Sequence, residues 1–281
     1  MVAKGFRDPQ KLNPGDQLLD ARLARYLAEC RQTDPAPKPQ LALPASTVRL
    51  IQESYGESSV RRQEVTGHLI ALAFFFLLRV GEYTPVTGPT PGRQARRTVP
   101  LWKQDVRLWK DGRPIPDDAS LETMSSADGV RICLENQKNG QKGATLYHSP
   151  TGGAFCPVRS AARLLAAMNG MPPQTAGLGT FYDDDGHPQC ITAQEIREAV
   201  RHAARYDKLD EAGYDLSRIG SHSLRSGGAT ALKLAGYDEA TIKKLGRWST
   251  NTYLLYIQSQ IANLTAGVAT AMARAHRLQM V

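Results

Sequence analysis

SHSLRSGGATALKLAGYDEATIKKLGRWSTNTYLLYIQ, residues 221–258, is the stretch that decides how this chain is read. His222 and Arg225 stand three apart, on one face of a helix, where both can point at one anion. A Gly-Arg-Trp follows at Gly246, Arg247 and Trp248, and Tyr256 ends the run. Residues of these types, in this order, can hold a phosphodiester and attack it. A tyrosine hydroxyl is a poor nucleophile at its free pKa and needs a cationic site to stabilise its oxyanion. Further cations must come from elsewhere in the chain.

With 281 residues, 41% of them hydrophobic and 22% charged, the chain suits one large domain, or one domain with an appendage. A net charge of +8 fits a polyanionic partner, although proteins that never meet nucleic acid share such a balance. Cys30, Cys133, Cys156 and Cys190 are spaced neither like zinc ligands nor like a disulfide framework, which favours a reducing compartment. The start, MVAKGFRDPQ, lacks the apolar core of a signal peptide. The longest apolar run, 69–78, falls far short of the ~20 residues that span a bilayer. It reads as a buried helix in a soluble, intracellular protein with no membrane partner.

Along the chain, helical spacing of Leu18, Leu19, Leu23, Tyr26 and Leu27 predicts a helix over 16–31, followed by the proline-rich linker TDPAPKPQLALPAS. Ser46 or Thr47 is the expected cap of a helix carrying Val48, Leu50 and Ile51. The next helix is expected from about Arg62 through LIALAFFFLLRV to Gly81. Alternation at 105–109, 130–134 and 144–147 predicts a small three-stranded antiparallel sheet, the last two strands joined through the loop QKNGQKG. Pro157 opens an amphipathic helix, and Thr192 with Glu195 caps another. Helices are then expected near 223–235, 238–245 and 250–259, with an alanine-rich helical tail over 261–278. Asp183 to Asp185 with His187 is read as a turn rather than a metal site. The fold class is α+β, mainly α.

Arg79, Glu82, Lys138, His222, Arg225, Trp248 and Tyr256 together resemble the catalytic domain of the tyrosine recombinases, or phage integrase family. The resemblance rests on LLRVGEY at 77–83, the lysine of the hairpin loop, HSLRSGGAT at 222–230 and LGRWSTNTYLLYIQ at 245–258, and covers about 46–261. Gly-Arg-Trp and the Tyr-Ile pair look most like recombinases of eukaryotic mobile elements, the tyrosine-recombinase retrotransposons and Crypton-type transposons. The family's architecture implies a catalytic domain over 46–281 and a residual N-terminal helix and linker over 1–45. Family members usually carry an N-terminal clamping domain, so the chain looks shortened.

The resemblance implies double-stranded DNA as partner and a metal-independent transesterification without cofactors. Arg79 and Arg225 would read the non-bridging oxygens bidentately. Tyr256 would be the nucleophile, Lys138 the general acid, and His222 an aid to proton transfer. Trp248 would donate its indole N–H to the phosphate, and Glu82 would buttress Arg79. The family's His or Trp position holds Arg247, with Trp248 one residue later. Either can face the phosphate; Trp248 is preferred, which leaves Arg247 a supporting role beside Glu82. Tyr253 and Lys142 compete with Tyr256 and Lys138. Taken singly, each residue has a plainer reading, as a helix end, a solvated loop or a core aromatic. Their order and spacing favour the joint reading. Site-specific recombination is the expected function, by a synaptic tetramer on DNA and with a monomer open for the free protein, in the nucleus of a eukaryote or the cytoplasm of a prokaryote. The alternatives are a catalytically silent DNA-binding protein and a type IB topoisomerase-like enzyme.

Overall fold

A computed structural model of the chain describes residues 40–85, 100–136, 142–250 and 254. The helices expected over 16–31 and 261–278 lie outside the described residues, as does all but Leu254 of the one expected over 251–259. The described elements, in chain order, are helices α1 (Ala45–Gly56), α2 (Arg61–Phe75) and α3 (Val80–Tyr83), and strands β1 (Val106–Lys110) and β2 (Arg113–Pro114). Helix α4 (Leu121–Ser125), strands β3 (Gly129–Asn136) and β4 (Lys142–His148) and helix α5 (Pro157–Ala167) follow. Strands β5 (Thr180–Tyr182) and β6 (Pro188–Cys190) precede helices α6 (Ala193–Tyr206), α7 (His222–Leu234) and α8 (Glu239–Gly246).

Helix α2 is apolar on nearly every face, and a helix of that kind belongs inside. Val65, Leu69, Ile70, Leu72 and Ala73 are buried among α1, α5, α6 and α7. Its close approach to α1 needs Gly67, where a Cβ would come within 2.7 Å of the Gly56 nitrogen. His68 ties the contact together, its ring nitrogens lying 3.1 Å from the Gly56 carbonyl and 3.3 Å from Ser160 Oγ on α5. Burial, aided by the Arg163 charge, lowers its pKa to about 4 and keeps the ring neutral. Arg62 reaches Glu195 of α6 at 2.6 Å. The same carboxylate closes the expected capping box by accepting the Thr192 N–H at 2.8 Å.

The main sheet is antiparallel with order β2-β1-β3-β4. The three expected strands are joined by a fourth of two residues, folded back by Asp111 and Gly112 at φ 50° and 73°. Positive φ at both positions is what a tight two-residue hairpin turn requires. Val106, Leu108, Val130, Ile132, Leu134 and Leu146 supply the buried face, which packs on α5. Residues 183–186 turn between β5 and β6, where the Asp183 carboxylate accepts the N–H groups of Asp185 (3.2 Å) and His187 (2.7 Å).

Two helix boundaries differ from the sequence expectation. Helix α1 begins at Ala45 behind Pro44, and neither Ser46 nor Thr47 caps it. The buried Thr47 hydroxyl instead donates to the Asp207 carboxylate just past α6. Helix α2 stops at Phe75 rather than running to Gly81. Leu77 adopts φ 48°, and the Leu78 N–H closes the end onto the Ala73 carbonyl at 2.9 Å. This is the left-handed helix ending that glycine usually supplies. A left-handed L-residue costs about 1–2 kcal/mol. Burial of the leucine side chain offsets it by about 1.5–3 kcal/mol, since Leu77 fills a small second cluster with Ala229 and Ile242 of α7 and α8. Among the described residues no helix is long and apolar enough to cross a membrane.

Candidate active site

The break after α2 creates the site. Had the helix continued, the Leu77 carbonyl would point along its axis. The left-handed turn swings it outward, where it accepts from Arg225 Nη1 and, at 3.0 Å, from Arg247 Nη2. His148, at the end of β4, fixes the same break from the other side, its Nε2 lying 2.9 Å from the Phe75 carbonyl. Burial pushes the His148 pKa below its ordinary value. The β3–β4 hairpin is thereby pinned to the end of α2.

Arg79 follows as the residue before α3. Its backbone N–H donates to one Glu82 carboxylate oxygen at 2.8 Å, and its guanidinium donates to the other at 2.9 Å. Glu82 is fully buried, whereas the Arg79 side chain keeps 17% of its surface exposed. A buried carboxylate that holds an arginine by both its main chain and its fork fixes the direction of the remaining donors.

Arg225 enters from α7. That helix lies close to the chain before α1 and to α2, because a Cβ on Gly227 would meet the Leu43 carbonyl and one on Gly228 would come within 2.5 Å of the Phe74 carbonyl. Arg225 is only 1% exposed. It donates to the main-chain carbonyls of Leu77 and Gly246, and its guanidinium carbon sits 4.4 Å from the centre of the Trp248 ring. His222 opens the same helix one turn earlier, half-buried, with its N–H donating to Gln40 Oε1 at 3.0 Å.

Each residue of Gly-Arg-Trp has a separate task. Gly246 ends α8, gives its carbonyl to Arg225, and leaves room for the Trp248 ring, which a Cβ there would strike. Arg247 turns the chain at φ 57°, with the Trp248 N–H closing onto the Lys243 carbonyl at 2.9 Å. This is the same left-handed ending as at Leu77. Its side chain, 2% exposed, reaches Glu82 at 2.9 Å. Trp248 lays its face over Arg225 and joins Leu254 at the edge of the second cluster.

Three guanidiniums, from Arg79, Arg225 and Arg247, thus gather around one carboxylate and one shared carbonyl. Burial and the neighbouring Arg79 charge draw the Arg247 pKa below its ordinary value, against the pull of Glu82. Tyr83 stands beside the cluster, but burial and the Glu82 charge push its hydroxyl pKa up, so it stays a neutral phenol. Arginines cannot discharge at working pH. Among the described residues the three guanidiniums outnumber the carboxylate they share, an arrangement chemically suited to an anion with several oxygens.

The structure therefore brings together Arg79, Glu82, Arg225, Arg247 and Trp248, and places His222 one turn from Arg225. Lys138, Tyr253 and Tyr256 lie outside the described residues, as does the side chain of Lys142. The sequence reading missed the carbonyls of Leu77 and Gly246. A carbonyl leaves no mark on a sequence, although the glycine of Gly-Arg-Trp signalled the close approach.

No family model and no curated protein matches the chain. Among solved structures it is similar to the XerH site-specific recombinase bound to a palindromic difH substrate, with a TM-score of 0.52 and 16% identity over 86% of this chain. The chain spans 56% of that XerH chain. XerA recombinase is matched at TM-score 0.46 and 13% identity, over 96% of this chain and 79% of that one. A lambda integrase dimer bound to a COC′ core site is matched at 0.45 and 12%, over 100% and 73%. The XerH likeness gives the fold: mainly helical with a small antiparallel sheet, the fold of a tyrosine-recombinase catalytic domain.

Proposed function

We propose that this chain is a DNA strand transferase that cuts and rejoins double-stranded DNA through a covalent 3′-phosphotyrosyl intermediate, as a site-specific recombinase. One observation carries the reading: Arg79 and Arg225, distant in sequence, meet at the same turn of main chain, with Leu77 and Glu82 as their common frame. The order of residues supplies the rest. Tyr256 attacks the phosphorus as its hydroxyl proton passes to His222, the bond to the 5′ oxygen breaks, and Lys138 gives that oxygen its proton. Arg79 and Arg225 stabilise the negative charge that grows on the non-bridging oxygens, with His222 and Trp248 beside them. The phosphotyrosyl bond keeps the energy of the phosphodiester, so a second 5′ hydroxyl can reverse the step without ATP. The catalytic unit is taken to span 46–281, and the Gly-Arg-Trp turn favours an origin in a eukaryotic mobile element, with a tetramer of this chain on its DNA.

The DNA partner is in keeping with the net charge of +8 and with a stretch from Thr250 to Val281 that holds no aspartate or glutamate. The test is adduct formation on nicked suicide duplexes drawn from the DNA flanking the gene. Wild-type protein is expected to form a covalent adduct, Y256F none, and R225A to form it ~10²–10³ more slowly. If wild type and Y256F are equally adduct-free, strand transfer is refuted.

A DNA-binding protein of the same fold that never cuts is the second reading. It is favoured by the depth of Arg225, whose fork is engaged by two main-chain carbonyls. Salt-dependent duplex binding without adduct would establish it.

A further inference from the structure

The geometry points to Arg247 as a positioning residue, one that never touches the reacting phosphate but sets where Arg79 and Arg225 stand. This inference rests on the strand-transfer reading. Through a single nitrogen, Nη2, Arg247 holds the Leu77 carbonyl at 3.0 Å and the Glu82 carboxylate at 2.9 Å. Those are the acceptors on which the two other arginines rest: Leu77 also accepts from Arg225, and Glu82 also accepts from Arg79. Arg247 is the member of the cluster that touches both. It is also the deeper of the two arginines paired with Glu82, at 2% exposure against 17% for Arg79. Arg225 is as deeply enclosed, so the two shared contacts, and not burial, set Arg247 apart as a brace.

The backbone supports the same assignment. At φ 57° the position favours glycine, and an arginine there is at a conformational disadvantage. The turn alone gives no reason for a long cationic side chain. Its reach to Leu77 and Glu82 does, because it joins the end of α8 to the break after α2 and to α3. Without that brace, the frame that orients Arg79 and the one that orients Arg225 would lose a side-chain link that joins them directly. A misplacement of about 1 Å in such groups can slow chemistry by ~10²-fold.

Glycine separates the turn from the side chain. In the full-length protein, R247G keeps the left-handed ending and removes the guanidinium. The expected result is a folded protein by circular dichroism, with duplex affinity within about threefold of wild type and single-turnover adduct formation at least about tenfold slower. The double variant R247G/E82Q is expected to be no slower than the slower single variant, because both changes act on one carboxylate. A slowing of less than tenfold in R247G, or rate losses that multiply in the double variant, overturns the proposal. R247N, which also tolerates the left-handed turn, replaces R247G if the latter does not fold. Arginine side-chain ¹⁵N spectra need no DNA: slowly exchanging guanidinium signals of Arg79 and Arg225 should broaden in R247G, and unchanged signals count against the brace. A wild-type protein that never forms an adduct sinks strand transfer, while the spectra still decide the role of Arg247.

Discussion

Helix α2 touches two buried polar centres, and they handle charge in opposite ways. Midway along it, His68 sits between a carbonyl and a hydroxyl, and burial leaves the ring neutral. Just past its end, Glu82 sits among guanidiniums that cannot give up their protons. The first centre costs little to bury, since both ring nitrogens have neutral partners. Among the described residues the second gathers three guanidiniums around one carboxylate, a poor arrangement for stability alone. The contrast shows where this fold follows packing and where it gives way to chemistry. A helix staple needs only satisfied hydrogen bonds, whereas the phosphodiester site proposed here would need charge that is fixed before the substrate arrives.

The sharpest way to break this comparison is to remove the Glu82 carboxylate from the second centre. E82A leaves Arg79 and Arg247 without their shared carboxylate, and losing one partner of a buried pair costs ~3–5 kcal/mol. Chemical denaturation should show a loss of that size. If the variant is as stable as wild type, the arginines are not held by Glu82 and the frame described for Arg79 is wrong.

Much of the helical frame was legible because apolar spacing and capping residues mark it, as in α5 behind Pro157 and α6 behind Thr192. Strand β2 was not, since Arg113 and Pro114 offer no alternation to read. The end of α2 was misjudged for a stronger reason. Leucine is a good helix former, and nothing local shows that Leu77 turns left-handed. That turn is stabilised by the apolar cluster beneath it and by two arginines from the far end of the chain. In the site, the order of Arg79, Glu82 and Arg225 was enough to group them. The pairing of Arg247 with Glu82 was readable only as a supporting role, because it depends on a backbone reversal after Gly246.

The first centre predicts a pH effect of the next size. His68 has a folded pKa of about 4 against 6.5 when unfolded, so the unfolded chain binds the extra proton first. Stability from this group is complete above pH 6.5, falls as the pH drops through 6.5 toward 4, and changes no further below. Each pH unit in that window is worth about 1.4 kcal/mol, so the window carries roughly 3 kcal/mol. H68Q keeps an amide able to face Gly56 and Ser160 but cannot take up a proton. Urea midpoints measured from pH 7.5 to 4.5 should therefore fall more steeply for wild type than for H68Q. Parallel curves would mean that His68 is not held neutral by its surroundings.

The smallest expected effect on stability tests the second centre most finely. G246A adds one methyl group where the Trp248 ring lies against the end of α8. The ring must move, because the alternative is for the Gly246 carbonyl to leave Arg225. Overpacking of this kind costs ~1–3 kcal/mol, yet the consequence for Arg225 should exceed what that figure implies. Trp248 covers its guanidinium and the carbonyl beside that methyl is one of its anchors, so one substitution loosens two of its contacts. A comparable methyl near the His68 staple, at Gly67, would strain the contact between α1 and α2 but leave every arginine contact in place. G246A is thus expected to slow adduct formation out of proportion to its loss of stability, and G67A to lower stability with the adduct rate unchanged at a temperature where it remains folded. Equal behaviour of the two variants would show that the end of α8 is only another packed helix end.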